Sequence, residues 1–293
     1  MFSRCFFLVL AFLPLTHNLE AKVCGGYSAA PTFSRNYCEM PSSIRILITH
    51  NVPGVELGVT GQYTLYDPVS LNRGDCGQKD HFIGTRYKGK CRYLETLIDG
   101  LKWGEEFPGQ HQLKIVDDLP TSRTIVQGIE YKGPLYIYNV AGTISIVNEL
   151  PIEEYVRNYL NQNYNTELEI EALYALAIIE RTNAYFLAQN PKSPYWAIEA
   201  EKINYRGLAC IHEKVNQAIY YTNRMVLSRT GVYEGVITPF MATFETSIIN
   251  PNHPEVVKSQ ISIDEANQMA KNGLHAAQII AKAFPGSTIM MTR

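Results

Sequence analysis

Residues Ala172 to Ile179 are apolar on nearly every face of a helix, with Tyr174 as the exception, and Glu180 and Arg181 follow at once. A helix that is greasy all round has to be buried on all sides. The chain must therefore fold in layers around this segment. It must also supply partners for two charges, because an unpaired ion in such a place costs several kcal/mol.

The flanking sequence divides into a strand-rich first half and a helical second half. Ile44 to Ile48, Val55 to Thr60 and Tyr63 to Tyr66 read as short strands, and the polar, Gly-containing stretch Leu71 to Lys88 reads as a loop. Leu94, Ile98 and Leu101 recur at helical spacing, so Tyr93 to Trp103 is expected to be an amphipathic helix ending at Gly104. Gln112 to Val116, Thr124 to Tyr131, Leu135 to Val140 and Thr143 to Val147 are rich in β-branched residues and Tyr. With Lys132-Gly133-Pro134 and Ala141-Gly142 as turns, they predict an antiparallel meander.

Beyond Leu150, Pro151 suits a first helical turn, and Glu153 and Glu154 suit the positive end of that helix. Thr166-x-x-Glu169 predicts a capping box opening the central helix. Pro194 to Asn204 reads as a polar connection, Ile211 to Thr222 as a helix, and Met225 to Ser228 and Thr238 to Phe244 as strands. Ser262-x-x-Glu265 caps a helix that stops at Gly273, and Leu274 to Phe284 forms the last one. The expected class is α+β: largely antiparallel strands in the N-terminal half, a buried central helix, and further helices in the C-terminal half.

Arg4 and the apolar run Phe6 to Leu15, too short to span a bilayer, predict an export signal cleaved near Ala21. The expected organisation is a signal peptide over 1–21, an extension over 22–42 and one domain over 43–293, with no stable transmembrane anchor. The formal charge of -2 encodes no strong attraction to nucleic acid. In an oxidising compartment, Cys24, Cys38, Cys76 and Cys91 can form two disulfides, neighbour pairing being preferred among three arrangements. Cys210 is left over, and with His212 it gives only two neighbouring metal ligands. It reads as a buried free thiol rather than a zinc ligand, so no metal or other cofactor is expected.

The run Asn148-Glu149-Leu150-Pro151-Ile152-Glu153-Glu154-Tyr155-Val156, followed by Glu171 to Thr182, resembles the core motif of the stage II sporulation protein D family, also called the amidase-enhancer or LytB-type domain. There the run reads roughly N-x-L-x-(L/I)-E-E-Y-(L/V), later E-A-L-K-A-Q-A-(V/L)-A-A-R-T. The strongest part of the resemblance is 133–182. Tyr205-Arg206-Gly207, Ala218 to Leu227, and Met269 to Gly273 with Phe284-Pro285-Gly286 resemble further family elements in the right order. The resemblance implies an exported peptidoglycan-binding protein of the periplasm or cell envelope. Its expected partners are glycan strands and a cell-wall amidase or the division machinery.

Counting back eight positions from Glu171 puts the family's catalytic glutamate at Asn163. The family's K-A-Q becomes Tyr174-Ala175-Leu176, and its glycine turns are missing. A lytic transglycosylase must protonate a glycosidic oxygen and then deprotonate the muramic 6-hydroxyl, and an amide does neither near neutral pH. Cleavage is accordingly expected to be reduced or absent, with an active enzyme using a relocated carboxylate as the alternative. Glu180 and Glu167 are the candidates for that acid. For Glu180 a structural pairing with a neighbouring cation is preferred; Glu167 reads as a solvated first-turn residue. Arg181 is either a clamp for a muramyl carboxylate or a fold-bracing partner of Glu153 or Glu154. Glu154, Tyr155, Tyr159 and Tyr164 complete the candidate sugar-contacting set. No G-x-S-x-G elbow, H-E-x-x-H, Walker loop or dinucleotide fingerprint is present.

Overall fold

In the computed structural model, residues 41–68, 80–86, 89, 91–164, 167–229, 237, 239–244 and 256–292 are described. The first half of the chain is entirely β: β1 (Ser43–Val52), β2 (Gly54–Thr60), β3 (Tyr63–Asp67), β4 (His81–Arg86), β5 (Arg92–Leu97), β6 (Gly100–Trp103), β7 (Glu105–Pro108), β8 (Gln112–Asp117), β9 (Arg123–Val126), β10 (Ile129–Tyr131), β11 (Leu135–Val140) and β12 (Thr143–Pro151). Then come α1 (Ile152–Asn163), α2 (Ile170–Gln189), β13 (Ile198–Glu199), a 3-10 turn over Ala200–Ile203, α3 (Glu213–Tyr221), β14 (Met225–Arg229), β15 (Met241–Thr243), β16 (Val256–Lys258), α4 (Ile263–Lys271), α5 (Ala276–Ala283) and β17 (Ser287–Met291). The fold is α+β, as the sequence predicts.

Two sheets share one core. The larger runs β13-β1-β12-β11-β8-β3-β4 and the smaller runs β10-β9-β2-β5-β6-β7, antiparallel throughout except where β13 lies parallel to β1. Alternation along the strands aims Ile46, Ile115, Ile137 and Ile146 from one sheet and Leu57, Leu94, Leu101 and Val126 from the other into the same apolar interior. The opposite face of the larger sheet carries a separate cluster, Leu47, Tyr136, Tyr138 and Val147, covered by Tyr195 and Trp196.

The helices assemble around α2. It packs against α1, α3, α4, α5, β14, β15 and β1, which is why its apolar run has no exposed stripe. At α4 both halves of the Ser262–Glu265 capping box are formed, and Gly273 follows with a φ of 84°. A short pairing of β14 with β17 closes the C-terminal side, while β15 and β16 pair in parallel.

Several expectations change. Tyr93 to Trp103 is a hairpin, not a helix: β5 pairs with β6 in the register Leu94↔Trp103 and Leu97↔Gly100. Ile98, needed on the buried face of the expected helix, is fully exposed at the tip (107%), and Gly100 takes a φ of 128° that suits a glycine. His81 to Arg86 is a strand on β3 rather than loop, and β17 follows the helix expected to be the last. Thr124 to Tyr131 is two strands, β9 and β10, folded at Gln127-Gly128. Helix α2 starts at Ile170 with Glu169 as its cap residue and no side-chain capping bond; Thr166 of the expected box lies outside the described residues. Cys210 is exposed, not buried, because residues 209–212 run over the surface of α1, tied by Ala209 N to Asn158 Oδ1 and His212 N to Asn161 Oδ1. Cys91 is exposed too, and the signal segment with Cys24, Cys38 and Cys76 lies outside the described residues. Among the described residues no helix is long and apolar enough to cross a membrane, and no group of three metal-ligating side chains occurs.

Asn148 joins the two halves. Fully buried on β12, it donates from Nδ2 to the carbonyls of Lys132 (3.1 Å) and Pro134 (3.2 Å) and accepts from the Tyr205 hydroxyl (2.7 Å). Replacing it removes all three bonds and leaves the buried Tyr205 hydroxyl without this acceptor, although the Pro134 carbonyl keeps the Glu149 amide (2.9 Å). Asn148→Ala should therefore lower unfolding free energy by about 1–3 kcal/mol in urea titrations, and a loss within error of zero would show that these bonds do not brace the fold.

Candidate functional site

Helices α1 and α2 bring together nearly all of the site residues named from the sequence. At their crossing lies Arg181, with 0% of its surface exposed. Its Nε donates to Glu153 Oε1 (2.7 Å) and its Nη2 to Glu153 Oε2 (2.8 Å), the two-pronged geometry a guanidinium and a carboxylate favour. Nη1 donates to the Met225 carbonyl (3.1 Å) and the Ala177 carbonyl (3.3 Å), with Thr222 Oγ1 at 3.5 Å. One side chain thus ties α1, α2 and the end of α3 to β14. Of the two roles open for Arg181, the geometry supports the brace, and the partner is Glu153. Glu154 instead accepts from Arg157 and has Lys132 at 4.0 Å.

Glu180 lies next to Arg181 in sequence but does not pair with it, since consecutive helical residues do not face each other. Its carboxyl is 3% exposed and receives hydrogen bonds from Asn183 Nδ2 (3.2 Å) and the Tyr164 hydroxyl (3.4 Å). No salt bridge to it is formed among the described residues, so the expected pairing with a cation is replaced by neutral donors. Burial pushes its pKa up to about 7, held back by the bonds from Asn183 and Tyr164.

Asn163 ends α1. Its Nδ2 donates to the carbonyls of Tyr159 (3.0 Å) and Ile203 (3.2 Å), and its Oδ1 accepts from Asn204 (3.3 Å), pinning the helix end to the 3-10 turn. Tyr155 and Tyr159 stack on each other within the core, at 2% and 4% exposure, so neither ring is open to a sugar; Tyr164 meets Tyr159 edge-on and is only part-buried. Glu167 is exposed just ahead of α2.

A cleft of about 830 Å³ opens beside the Arg181–Glu153 pair. It is lined by Glu153 and Arg157 of α1 and by Glu213, Gln217, Tyr220 and Tyr221 of α3, with Asn216 and Asn223 among its amides. The sequence reading missed this surface. The signal was there: Val215, Ala218 and Ile219 define the inner face of α3, so Tyr220 and Tyr221 fall on its outside. A smaller cleft of about 240 Å³ lies at the end of the larger sheet, between Asp67, His111, Tyr138 and Tyr195.

Other motif positions are structural as well. The Tyr205-Arg206-Gly207 turn is gripped by Gln162, whose Nε2 donates to the Gly207 carbonyl and whose Oε1 accepts from Arg206 N. Gly207 has a φ of 74°, and a Cβ there would sit 2.2 Å from the Glu130 carbonyl oxygen. Thr182 Oγ1 bonds back to the Ile178 carbonyl (2.7 Å) and accepts from Leu227 N (2.8 Å). This set of braces coincides with a known family: residues 140–228 match the family model described as stage II sporulation protein, SpoIID. This segment belongs to the SpoIID family.

The SpoIID match begins on β11 and ends on β14, and it spans α1, α2, α3 and the cleft. The chain is similar, at 28% identity over 86% of its length and 83% of the relative's, to an uncharacterized protein of Chlamydia pneumoniae. An uncharacterized protein of Chlamydia muridarum is 31% identical over 70% of the chain and 65% of the relative. One from Brachyspira hyodysenteriae is 33% identical over 38% of the chain and 30% of the relative. No solved structure matches.

Two outcomes follow. Arg181→Ala leaves the Glu153 carboxylate without its partner and should cost about 3–5 kcal/mol of stability, seen as a large fall in Tm. Glu180 behaves differently. With a folded pKa near 7 against an ordinary 4.5, its contribution is fully present below 4.5 and is lost as pH rises through 7. Glu180→Gln should therefore stabilise the protein little at pH 4 and by up to about 3 kcal/mol at pH 8; a gain that does not grow with pH would contradict the assignment.

Proposed function

We propose that this protein is exported to the periplasm or cell envelope and binds peptidoglycan glycan strands there, with lytic transglycosylase activity reduced or absent. The SpoIID domain makes the function cell-wall related. The observation that carries the finer reading is the state of Asn163. In the position where the resemblance has the acid, an amide spends its donors on the Tyr159 and Ile203 carbonyls and its acceptor on Asn204. It has no proton to give to a glycosidic oxygen, and it holds α1 to the 3-10 turn. Losing a general acid removes about 10² to 10⁴ of rate. A cell-wall amidase or the division machinery is the protein partner the reading implies.

A second reading has its own observation. Glu180 is a carboxyl with a pKa near 7, as a group that must both give and take a proton requires. Against it, Glu180 is almost wholly enclosed and lines neither described cleft.

Incubation with purified sacculi separates the two, with sedimentation reporting binding and anhydro-muropeptide release reporting cleavage. The expected result is co-sedimentation with release near the blank. Asn163→Glu should not restore release. Its carboxylate would face the two carbonyls that the amide now donates to, lowering stability by about 1–3 kcal/mol. Strong release by the natural chain that disappears in Glu180→Gln would establish the second reading.

A further inference from the structure

The cleft between α1 and α3 has a lining that neither the fold nor the bracing network explains. Val215, Ala218 and Ile219 already anchor α3, yet the helix goes on to present Tyr220 at 76% exposure and Tyr221 at 59%. Rings so exposed gain little for folding. They are also ordered: Tyr220 and Tyr221 meet edge-to-face at 87° with centroids 5.3 Å apart, and Tyr221 leans on Tyr174 at 6.0 Å. Gln217 Nε2 donates to the Tyr174 hydroxyl (3.3 Å), which orients the amide with its carbonyl oxygen as an acceptor at the cleft.

The opposite wall supplies fixed acceptors. The Glu153 side chain keeps 32% of its surface open although both oxygens are held by Arg181, which spends one lone pair on each. Arg157 is neutralised by Glu154. Glu213 then leaves the cleft slightly acidic, which disfavours an anionic ligand. Two tyrosine faces, the carboxylates of Glu153 (held by Arg181) and Glu213, and amides able to donate to a carbonyl fit one chemistry. It is a neutral N-acetylated hexosamine, with an apolar ring face, several hydroxyl donors and an acetamide oxygen.

We propose that the α1–α3 cleft is the sugar-contacting surface of this protein, in which Tyr220 and Tyr221 stack on N-acetylhexosamine rings of a glycan and Glu153, Glu213 and Gln217 accept hydrogen bonds from its hydroxyls. This rests on the peptidoglycan reading and gives it a location that does not involve Asn163 or Glu180. A docking protein is the competing occupant, and the polar, amide-rich lining argues for sugar.

The test is sedimentation of the purified protein with sacculi, with chitohexaose as competitor. The natural protein should sediment and be displaced by chitohexaose. The double variant Tyr220→Ala/Tyr221→Ala should lose affinity by about tenfold or more, with Tm unchanged because both rings are exposed. Tyr220→Phe/Tyr221→Phe, which keeps the rings, should retain most of the affinity; a loss equal to that of the alanine pair would overturn the stacking. If the natural protein sediments but the alanine pair sediments equally well, or chitohexaose does not compete, the cleft assignment falls and the peptidoglycan reading stands. If the natural protein does not sediment at all, both fall.

Discussion

A guanidinium with no exposed surface, held by Glu153 through two hydrogen bonds below 3 Å, is what the helical half depends on. A charge in that place is tolerable only when nearly every N–H finds an acceptor. Glu153 and the backbone of α2 and β14 supply those acceptors, so the requirement fixes where α1 and β14 run against α2. The cleft borders the same pair, since Glu153 turns inward from α1 to Arg181 and also lines the cleft between α1 and α3. On the α1 side the Glu153 carboxylate is thus held in place by the buried guanidinium.

The same logic extends along the family motif. Asn148 ties β12 to the Lys132–Pro134 turn and to Tyr205, and Thr182 ties α2 to β14. Asn183 imitates a strand partner for Ala242, donating to its carbonyl and accepting from its amide. These side chains hold the elements in register whether or not a glycan is cleaved. A chain can thus keep the SpoIID frame while its acid position becomes another brace. Asn163 has done so.

The fold class and the enclosed helix were legible because a run apolar on all faces admits one environment. The position of the ion pair was half legible: Glu153 and Glu154 were both open as partners for Arg181, and the packing of α1 against α2 turns Glu153 to it and leaves Glu154 to Arg157. The fate of Glu180 was not legible. Its hydrogen bond from Tyr164 depends on where the chain returns after α1, which no local pattern encodes. The β5–β6 hairpin was misread because Leu94 and Leu101 sit seven apart, a spacing that suits two helical turns and two strands folded at Ile98-Asp99 alike; the exposed Ile98 and Gly100 decide it. Tyr155 and Tyr159 looked like sugar platforms on composition, and burial assigns them to the core, while Tyr220 and Tyr221 take the exposed places.

The central claim is that the motif residues hold the fold, that Arg181 makes no substrate contact, and that Glu153 alone among them both braces the fold and faces the cleft. A double-mutant cycle on Glu153→Gln and Arg181→Met, read by urea unfolding and by the sacculus affinity of whichever variants remain folded, tests it most directly. The account predicts a coupling of about 2 kcal/mol or more in stability, with affinity in the folded double variant falling by no more than the loss of one carboxylate acceptor explains. A coupling near zero together with abolished sacculus binding would contradict it, and would return Arg181 to the substrate.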